Sequence, residues 1–152
     1  MVTTHETLGF GDVPLYGFRE GKMIFIHLDG DDIGSVLELL LLDDGVERAR
    51  AYSTSVTRAL ELVRNALAKN GNADIFVSGG DDLAAALPDG AIDTQEVERL
   101  RRIFFEACGR TMSIGVGFSA SEATHNLRRA KLMGKNAVVS PTQIATLADV
   151  EA

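Results

Sequence analysis

The chain has 152 residues, of which 45% are hydrophobic and 24% charged, and this composition fits one compact globular domain. Its formal net charge of −7 argues against a surface that coats nucleic acid, because such surfaces carry an excess of Lys and Arg. A nucleoside triphosphate remains compatible with this charge, since metal ions and one or two lysines suffice to bind it.

The sequence carries no sign of export or membrane insertion. The apolar run from Val36 to Leu42 is too short to span a bilayer, and Met1–Glu6 lacks the basic and apolar regions of a signal peptide. Cys108 is the only cysteine, which excludes an intramolecular disulfide. We therefore expect a cytoplasmic location and no direct binding to nucleic acid or membrane.

The first half of the chain predicts a strand followed by two helices. Residues 1–21 are rich in glycine and turn residues and indicate a loosely structured N-terminal lead-in segment. A strand is expected from about Lys22 to Leu28, a short helix from Ile33 to Leu42, and a long helix from Val46 to Lys69, with Asn70-Gly71 as its stop. The long helix has apolar residues at helical spacing: Val56, Leu60, Val63 and Leu67.

The second half predicts a hairpin, a helix, a strand, a helix and a short strand. The hairpin is expected at Ala73–Leu87, the next helix at Asp93–Gly109 and the next strand at Thr111–Phe118. The last helix is expected to start at Ser119, and the short final strand is expected at Val138-Val139. Asp93 with Glu96, and Ser119 with Glu122, form capping pairs at the two helix starts. One domain is expected over residues 22–140, followed by a tail over 141–152.

The order β-α-α-β-β-α-β-α-β contains the ferredoxin-like pattern of split βαβ units. It predicts an α+β fold with a central antiparallel-rich sheet flanked by helices. In that arrangement the first strand lies beside the hairpin, so Asp29 at the strand end approaches Asp81 and Asp82 at the hairpin turn.

The segment from Asp29 to Gly34 begins where the first strand ends. Asp29 is a candidate catalytic residue and metal ligand, and the carbonyl of Gly30 offers a further oxygen. The amides of Asp31, Asp32, Ile33 and Gly34 open a helix, where free N–H groups and the helix dipole favour phosphate. The alternative interpretation is a turn in which Asp31 or Asp32 merely caps that helix.

The sequence Gly79-Gly80-Asp81-Asp82 is expected at the hairpin turn. Gly and Asp are ordinary turn residues, but a second adjacent Asp adds repulsion without helping the turn. Together with Asp29, these carboxylates favour a cation site over a plain turn. Ligands that are all oxygen favour Mg²⁺ or Mn²⁺, and magnesium commonly arrives with a nucleotide phosphate.

Lys131 and Lys135 are four residues apart, which predicts that both project from one helical face. There they would contact the β- and γ-phosphates as point charges, the alternative being a solvated basic face. His5, His27 and His125 show no partner spacing and are interpreted as structural or exposed.

These motifs resemble the palm of GGDEF-type nucleotide cyclases, and in particular the minimal CRISPR polymerase (mCpol) proteins. The likeness rests on four segments spread over about Lys22 to Val139: Leu28–Gly34, Ser78–Asp82, Met112–Val116 and Ala130–Asn136. The resemblance implies that Asp29, the Gly30 carbonyl, Asp81 and Asp82 hold two divalent ions. It also implies that Gly79 and Gly80 line a nucleotide site in which Lys131 and Lys135 bind the triphosphate.

Two departures from diguanylate cyclases bear on the substrate. Where those enzymes carry a polar residue that reads guanine, the matching helical stretch here is Val36-Leu37-Glu38-Leu39, and Asn70–Ala73 lacks their Arg-x-x-Asp inhibition motif. The resemblance therefore implies synthesis of a cyclic di- or oligonucleotide from ATP, by a homodimer, for antiphage signalling through a separate effector. Two alternatives stay open: a catalytically silent nucleotide-binding sensor module, and cyclisation of one nucleotide to cyclic AMP.

Overall fold

The structure is a computed structural model that describes residues 23–69 and 72–141. Its elements are β1 (Met23–Gly30), α1 (Ile33–Leu42), α2 (Val46–Ala68), β2 (Asp74–Gly79), β3 (Asp82–Pro88), α3 (Thr94–Cys108), β4 (Met112–Gly117), α4 (Ala120–Leu132) and β5 (Val138–Val139). The predicted order of strands and helices is confirmed. The predicted lead-in segment, the helix stop at Asn70-Gly71 and all of the tail after residue 141 lie outside the described residues.

The five strands form one sheet in the order β2-β3-β1-β4-β5. β1 is central and antiparallel to both β3 and β4, while β4 and β5 are parallel. The predicted α+β fold, with the first strand beside the hairpin, is confirmed. The register places Asp29 opposite Asp82 on one side and opposite Ser113 on the other.

One face of the sheet forms the hydrophobic core with α2 and α3. Successive strand residues point to opposite faces, and in β1 it is Ile26 and Leu28 that are buried in this core. The apolar positions predicted for α2 all lie in the core with them: Val56, Leu60, Val63 and Leu67. His27 and Asp29 consequently belong to the opposite face of the sheet.

The opposite face is covered by α4, which packs closely on β4 and β1. The residues predicted to form its core-facing side are buried as expected: Ala123, Leu127 and Ala130. Both capped helix starts are also confirmed, since Asp93 accepts from the amide of Glu96 and Ser119 from that of Glu122. Within the described part of the chain, no helix combines the length and apolar character needed to cross a membrane.

Replacing Gly115 by Ala should strongly destabilise the fold. A Cβ at this position would lie 2.0 Å from the carbonyl oxygen of Ala123 and 2.2 Å from the amide nitrogen of Leu127. Both are backbone atoms of α4, so the whole helix would have to move away from the sheet, at a cost of about 3 kcal/mol. Urea unfolding measures this loss. Gly79→Ala is the control, because nothing lies within 4 Å of its added Cβ, and equal midpoints for the two variants would contradict the prediction.

Candidate active site

The β2–β3 hairpin brings its acidic turn to the end of β1. Gly80 has a φ of 62°, a left-handed conformation that glycine adopts at little cost, and it shares a two-residue turn with Asp81. The β1–β3 register continues past the strand end, where the Gly30 amide donates to the carbonyl oxygen of Asp81 at 3.0 Å. The backbones of Asp29, Asp81 and Asp82 therefore meet at one end of the sheet.

The environment of Asp81 disfavours the ionised form of its carboxyl. Burial raises the pKa of its carboxyl, the nearby Asp29 carboxylate and Asp82 raise it further, and Lys131 only partly opposes them. A Cβ at Gly30 would lie 3.1 Å from the Asp81 Oδ2 atom, so glycine at this position leaves that carboxylate room beside β1. An additional cation here would favour the ionised form of Asp81.

The ammonium group of Lys131 lies among the oxygens of this strand end. Its Nζ atom is 3.0 Å from Asp29 Oδ2, 3.2 Å from the Asp29 carbonyl oxygen and 2.9 Å from the Gly30 carbonyl oxygen. Burial alone would lower the pKa of Lys131, but hydrogen bonds to Asp31 and Asp29 outweigh it and the pKa is raised. These oxygens thus surround a cationic group of the protein itself, at the residues for which the sequence predicts a divalent metal ion.

The sequence predicted that three or more acidic groups converge at this strand end and hold two divalent ions. Among residues 23–69 and 72–141, no group of three or more His, Cys, Asp or Glu side chains is placed to hold a metal ion. The reason is that Asp29 pairs with Lys131 and Asp82 pairs with His27. The donor set nevertheless fits Mg²⁺ or Mn²⁺, because the oxygens that already hold an ammonium are of the hard type these ions prefer.

Asp31 has an internal role that neither sequence interpretation anticipated. Its side chain is 1% exposed and accepts hydrogen bonds from Lys131 and from three further groups. These are the hydroxyls of Thr111 and Ser113 and the amide of Asn136. The Asp31 amide donates to the carbonyl oxygen of Thr111 at 2.9 Å, so it is not available to the phosphate with which it was predicted to interact.

The N-terminus of α1 lacks a side-chain cap. Asp32 occupies the N-cap position with a φ of 57°, in the left-handed region, and its side chain makes no capping hydrogen bond. The amides of Ile33 and Gly34 belong to the first helical turn, whose N–H groups have no acceptor within the helix. Nothing lies within 4 Å of a Cβ built on Gly34, so an anion has open space beside these amides.

The sequence predicted that Lys131 and Lys135 project from one helical face. This prediction is wrong, because Lys135 does not belong to a helix. α4 ends at Leu132, and Lys135 lies in the following loop with a φ of 65°. The chain turns there because Gly134 has a φ of 112°, outside the helical region. Both lysines still reach the same turn, since Lys131 binds Asp29 and Asp31 while Lys135 pairs with Asp32.

His27 is a site residue that the sequence interpretation missed. Its Nε2 atom lies 2.7 Å from Asp82 Oδ1, and its Nδ1 atom lies 3.0 Å from the hydroxyl oxygen of Thr124. One ring nitrogen thus contacts Asp82 and the other contacts Thr124, whose hydroxyl oxygen also lies 2.9 Å from the carbonyl oxygen of Ala120. The histidine ring thereby fixes the direction of Asp82. The sequence feature that could have identified His27 is its position two residues before Asp29, because side chains two residues apart lie on the same face of a strand.

A cleft beside Asp29 offers room for a small ligand. It has a volume of about 450 Å³ and runs along α4 from Thr124 to Leu132, with Arg128 and Lys131 among its lining residues. A larger groove of about 680 Å³ lies on α2 around Arg50 and Arg58, where none of the predicted site residues line it. The cleft beside Asp29 is of the size typical of ligand sites and adjoins the end of β1.

The sheet order and the acidic hairpin beside the end of β1 define a palm-type fold of polymerases and nucleotide cyclases. The structure is similar to a Csm1-Csm4 cassette in complex with cA4, with a TM-score of 0.62 and 20% identity over 77% of this chain. The same cassette in complex with one ATP gives the same values. The chain spans only 20% of the length of that cassette chain.

A second similar structure is the active GGEEF domain of a diguanylate cyclase from Vibrio cholerae. The TM-score is 0.56, with 14% identity over 79% of this chain and 83% of that domain. The model of the minimal CRISPR polymerase domain matches residues 25–140, and the chain therefore belongs to the mCpol family. The resemblance inferred from the sequence motifs is confirmed. No curated protein matches the chain.

Proposed function

We propose that this protein is a divalent-metal-dependent nucleotidyltransferase that converts ATP into a cyclic di- or oligonucleotide and releases pyrophosphate. The observation that carries the proposal is the cage of Asp29 and Gly30 oxygens around the Lys131 ammonium, directly beside Asp81. A cage that binds a cation at the end of a palm strand fits the metal site of a polymerase. Divalent ions in such sites activate the attacking hydroxyl and stabilise phosphate charge.

The acidic residues take distinct roles in this proposal. Asp29, the carbonyl of Gly30 and Asp81 would hold the metal ions, with Asp82 as a further ligand whose direction His27 fixes. Because burial and neighbouring charge raise the pKa of Asp81, a bound cation would favour its ionised form. These residues orient the reacting groups, and no dedicated protein base is required.

The triphosphate would lie over the first turn of α1. The amides of Ile33 and Gly34 would donate to its oxygens, and Lys131 and Lys135 would neutralise its charge. The open hairpin turn at Gly79-Gly80 leaves the approach unobstructed, since nothing lies within 4 Å of a Cβ built on either glycine. A ribose hydroxyl of a second nucleotide then attacks the α-phosphorus. The new P–O ester bond forms as the bond from the α-phosphorus to the bridging β-phosphate oxygen breaks; the hydroxyl proton passes to solvent, and pyrophosphate leaves.

The substrate and the assembly are part of the same proposal. The stretch Val36-Leu37-Glu38-Leu39 stands where diguanylate cyclases carry the polar residue that reads guanine, which argues against guanine. The similar Csm1-Csm4 cassette was crystallised with ATP, which supports ATP as substrate. Two protomers would face each other as a homodimer, so that each nucleotide supplies a hydroxyl to the other. The product would act in antiphage signalling through a separate effector protein.

The proposal is tested by incubating the purified protein with Mg²⁺ or Mn²⁺ and each of the four nucleoside triphosphates. Mass spectrometry of the products should show a cyclic adenine di- or oligonucleotide, formed only when a divalent ion is present. Asp81→Ala should abolish the product, while Asp89→Ala, a change at an exposed turn residue, should retain it. Cyclic AMP as the product would contradict the second-nucleotide attack, and product from Asp81→Ala would contradict the site.

A catalytically silent nucleotide-binding module is the second candidate. It is favoured by one observation: Lys131 pairs with Asp29, so the protein already neutralises its acidic strand end without a metal. Binding of ATP or of a cyclic nucleotide, with intact triphosphate under every metal condition, would support this candidate over the enzyme.

A further inference from the structure

We propose that Arg110 is a third cationic ligand of the triphosphate, and that the Asp32 carboxylate takes the place of a phosphate in the nucleotide-free protein. This inference rests on the proposed function, in which the triphosphate lies over the first turn of α1. It adds a binding residue that no motif of the sequence indicated, and it assigns a role to the unusual conformation of Asp32.

The sheet register brings Arg110 to this turn. β1 and β4 pair Gly30 with Met112, and the amide of Asp31 bonds to Thr111 beyond the strand end. Continuing the same antiparallel register by one residue places Arg110 opposite Asp32. The Nη2 atom of Arg110 lies 3.7 Å from Asp32 Oδ2 and 3.3 Å from the Asp31 carbonyl oxygen.

Two cations bracket the Asp32 carboxylate. Arg110 approaches its Oδ2 atom, and the Lys135 ammonium pairs with its Oδ1 atom. The two cations come from different segments, the turn before β4 and the loop after α4. A single carboxylate thus lies between two cationic groups at a helix N-terminus, an arrangement that also suits a phosphate.

The backbone of Asp32 explains why this carboxylate is a substitute rather than a cap. An Asp at the N-cap usually has an extended backbone and accepts from an amide of the first turn. Asp32 is instead left-handed, and its side chain makes no capping bond. The amides of the first turn are thereby left for a ligand, and Gly34 has open space beside it.

Arginine suits the role of a phosphate ligand better than another lysine would. Its planar guanidinium presents parallel N–H donors that can bind two phosphate oxygens at once, whereas an ammonium acts as a point charge. The Arg110 side chain is 31% exposed, so the guanidinium is accessible while the Asp31 carbonyl holds it in place. Together with Lys131 and Lys135, it gives three positive charges for a triphosphate.

The inference is tested by calorimetric titration of the metal-free protein with α,β-methylene-ATP and, separately, with AMP. Arg110→Met should weaken binding of the triphosphate analogue at least about tenfold and leave AMP binding unchanged, because AMP has no β- or γ-phosphate. Arg110→Lys should be intermediate. Arg102→Met is the matched control, since Arg102 is exposed on α3.

Asp32→Asn tests the second half of the inference. Asn tolerates the left-handed backbone but carries no charge, so it removes the internal anion without forcing the turn to change. The affinity for the triphosphate analogue should rise at least about threefold, because a competing charge is gone. Unchanged or lower affinity would overturn the role of Asp32.

The outcomes separate this inference from the proposed function. If wild-type protein makes no product but binds the analogue in an Arg110-dependent manner, the inference holds and the proposed activity fails. If wild-type protein makes the product and Arg110→Met binds the analogue normally, the inference fails while the proposed function stands. Equal loss of analogue and AMP binding in Arg110→Met would show a structural role, and would overturn the inference.

Discussion

Asp29→Asn is expected to reduce formation of the cyclic product by about a thousandfold or more, the scale seen when a group central to catalysis is removed. Asn has nearly the same shape as Asp but offers one neutral oxygen, and a neutral amide binds a divalent ion weakly. The change also removes the Asp29 partner that lies 3.0 Å from the Lys131 ammonium. Product is quantified by mass spectrometry at saturating metal and ATP.

Asp74→Asn is the matched control for this prediction. Asp74 is an exposed residue at the start of β2, at the opposite end of that strand from the acidic turn. Its variant should retain full activity, whereas Asp29→Asn should also bind Mn²⁺ at least about tenfold more weakly in calorimetric titration. Wild-type turnover by Asp29→Asn would remove Asp29 from the metal site and would leave the palm without its proposed first ligand.

The fold was predictable because its signals are local. Strand and helix periods, the capping pairs at Asp93 and Ser119, and the glycines of the β2–β3 turn each act over a few residues. The split βαβ order then determines that β1 pairs with the hairpin, which is why Asp29 and Asp82 were expected at neighbouring strand ends and lie opposite each other.

The partners of the site residues were harder to predict, because they come from distant parts of the sequence. Asp31 bonds to Ser113 and Asn136, and only the β1–β4 register brings these groups together. The spacing of Lys131 and Lys135 predicts a shared helical face because periodicity does not show that α4 ends at Leu132. The partner spacing sought for His27 does not reveal its contact with Asp82, which lies two strand positions away on the adjacent strand.

Arg110 could have been found only from the sheet register. Nothing in its neighbourhood marks it, since it is one of 15 Lys and Arg residues and follows the helix-ending Gly109. Once β1 and β4 are paired, counting outward from Gly30 and Met112 brings it opposite Asp32. Charged residues just beyond paired strand ends are therefore candidates for a shared site even without a motif.

Asp31→Ala is expected to lower the free energy of unfolding by about 3–5 kcal/mol, the range found when one partner of a buried ion pair is removed. The change leaves the Lys131 ammonium without its 2.7 Å contact, and it leaves the Thr111 and Ser113 hydroxyls and the Asn136 amide without their acceptor. Urea unfolding measures the loss. Asp89→Ala is the matched control, because Asp89 is exposed and its removal should change stability little.

The pH dependence of the same experiment identifies the cause of the loss. Burial alone would raise the pKa of Asp31, but the hydrogen bonds from Lys131, Thr111, Asn136 and Ser113 outweigh it, so the pKa is lowered. A lowered folded-state pKa contributes stability above the pKa of an unfolded Asp, and that contribution is lost as the pH falls through the folded-state value. The stability gap between wild type and Asp31→Ala should therefore narrow in acid. A stability difference between wild type and Asp31→Ala that stays constant with pH would show that the loss comes from packing. In that case Asp29, and not Asp31, would hold Lys131 at the site.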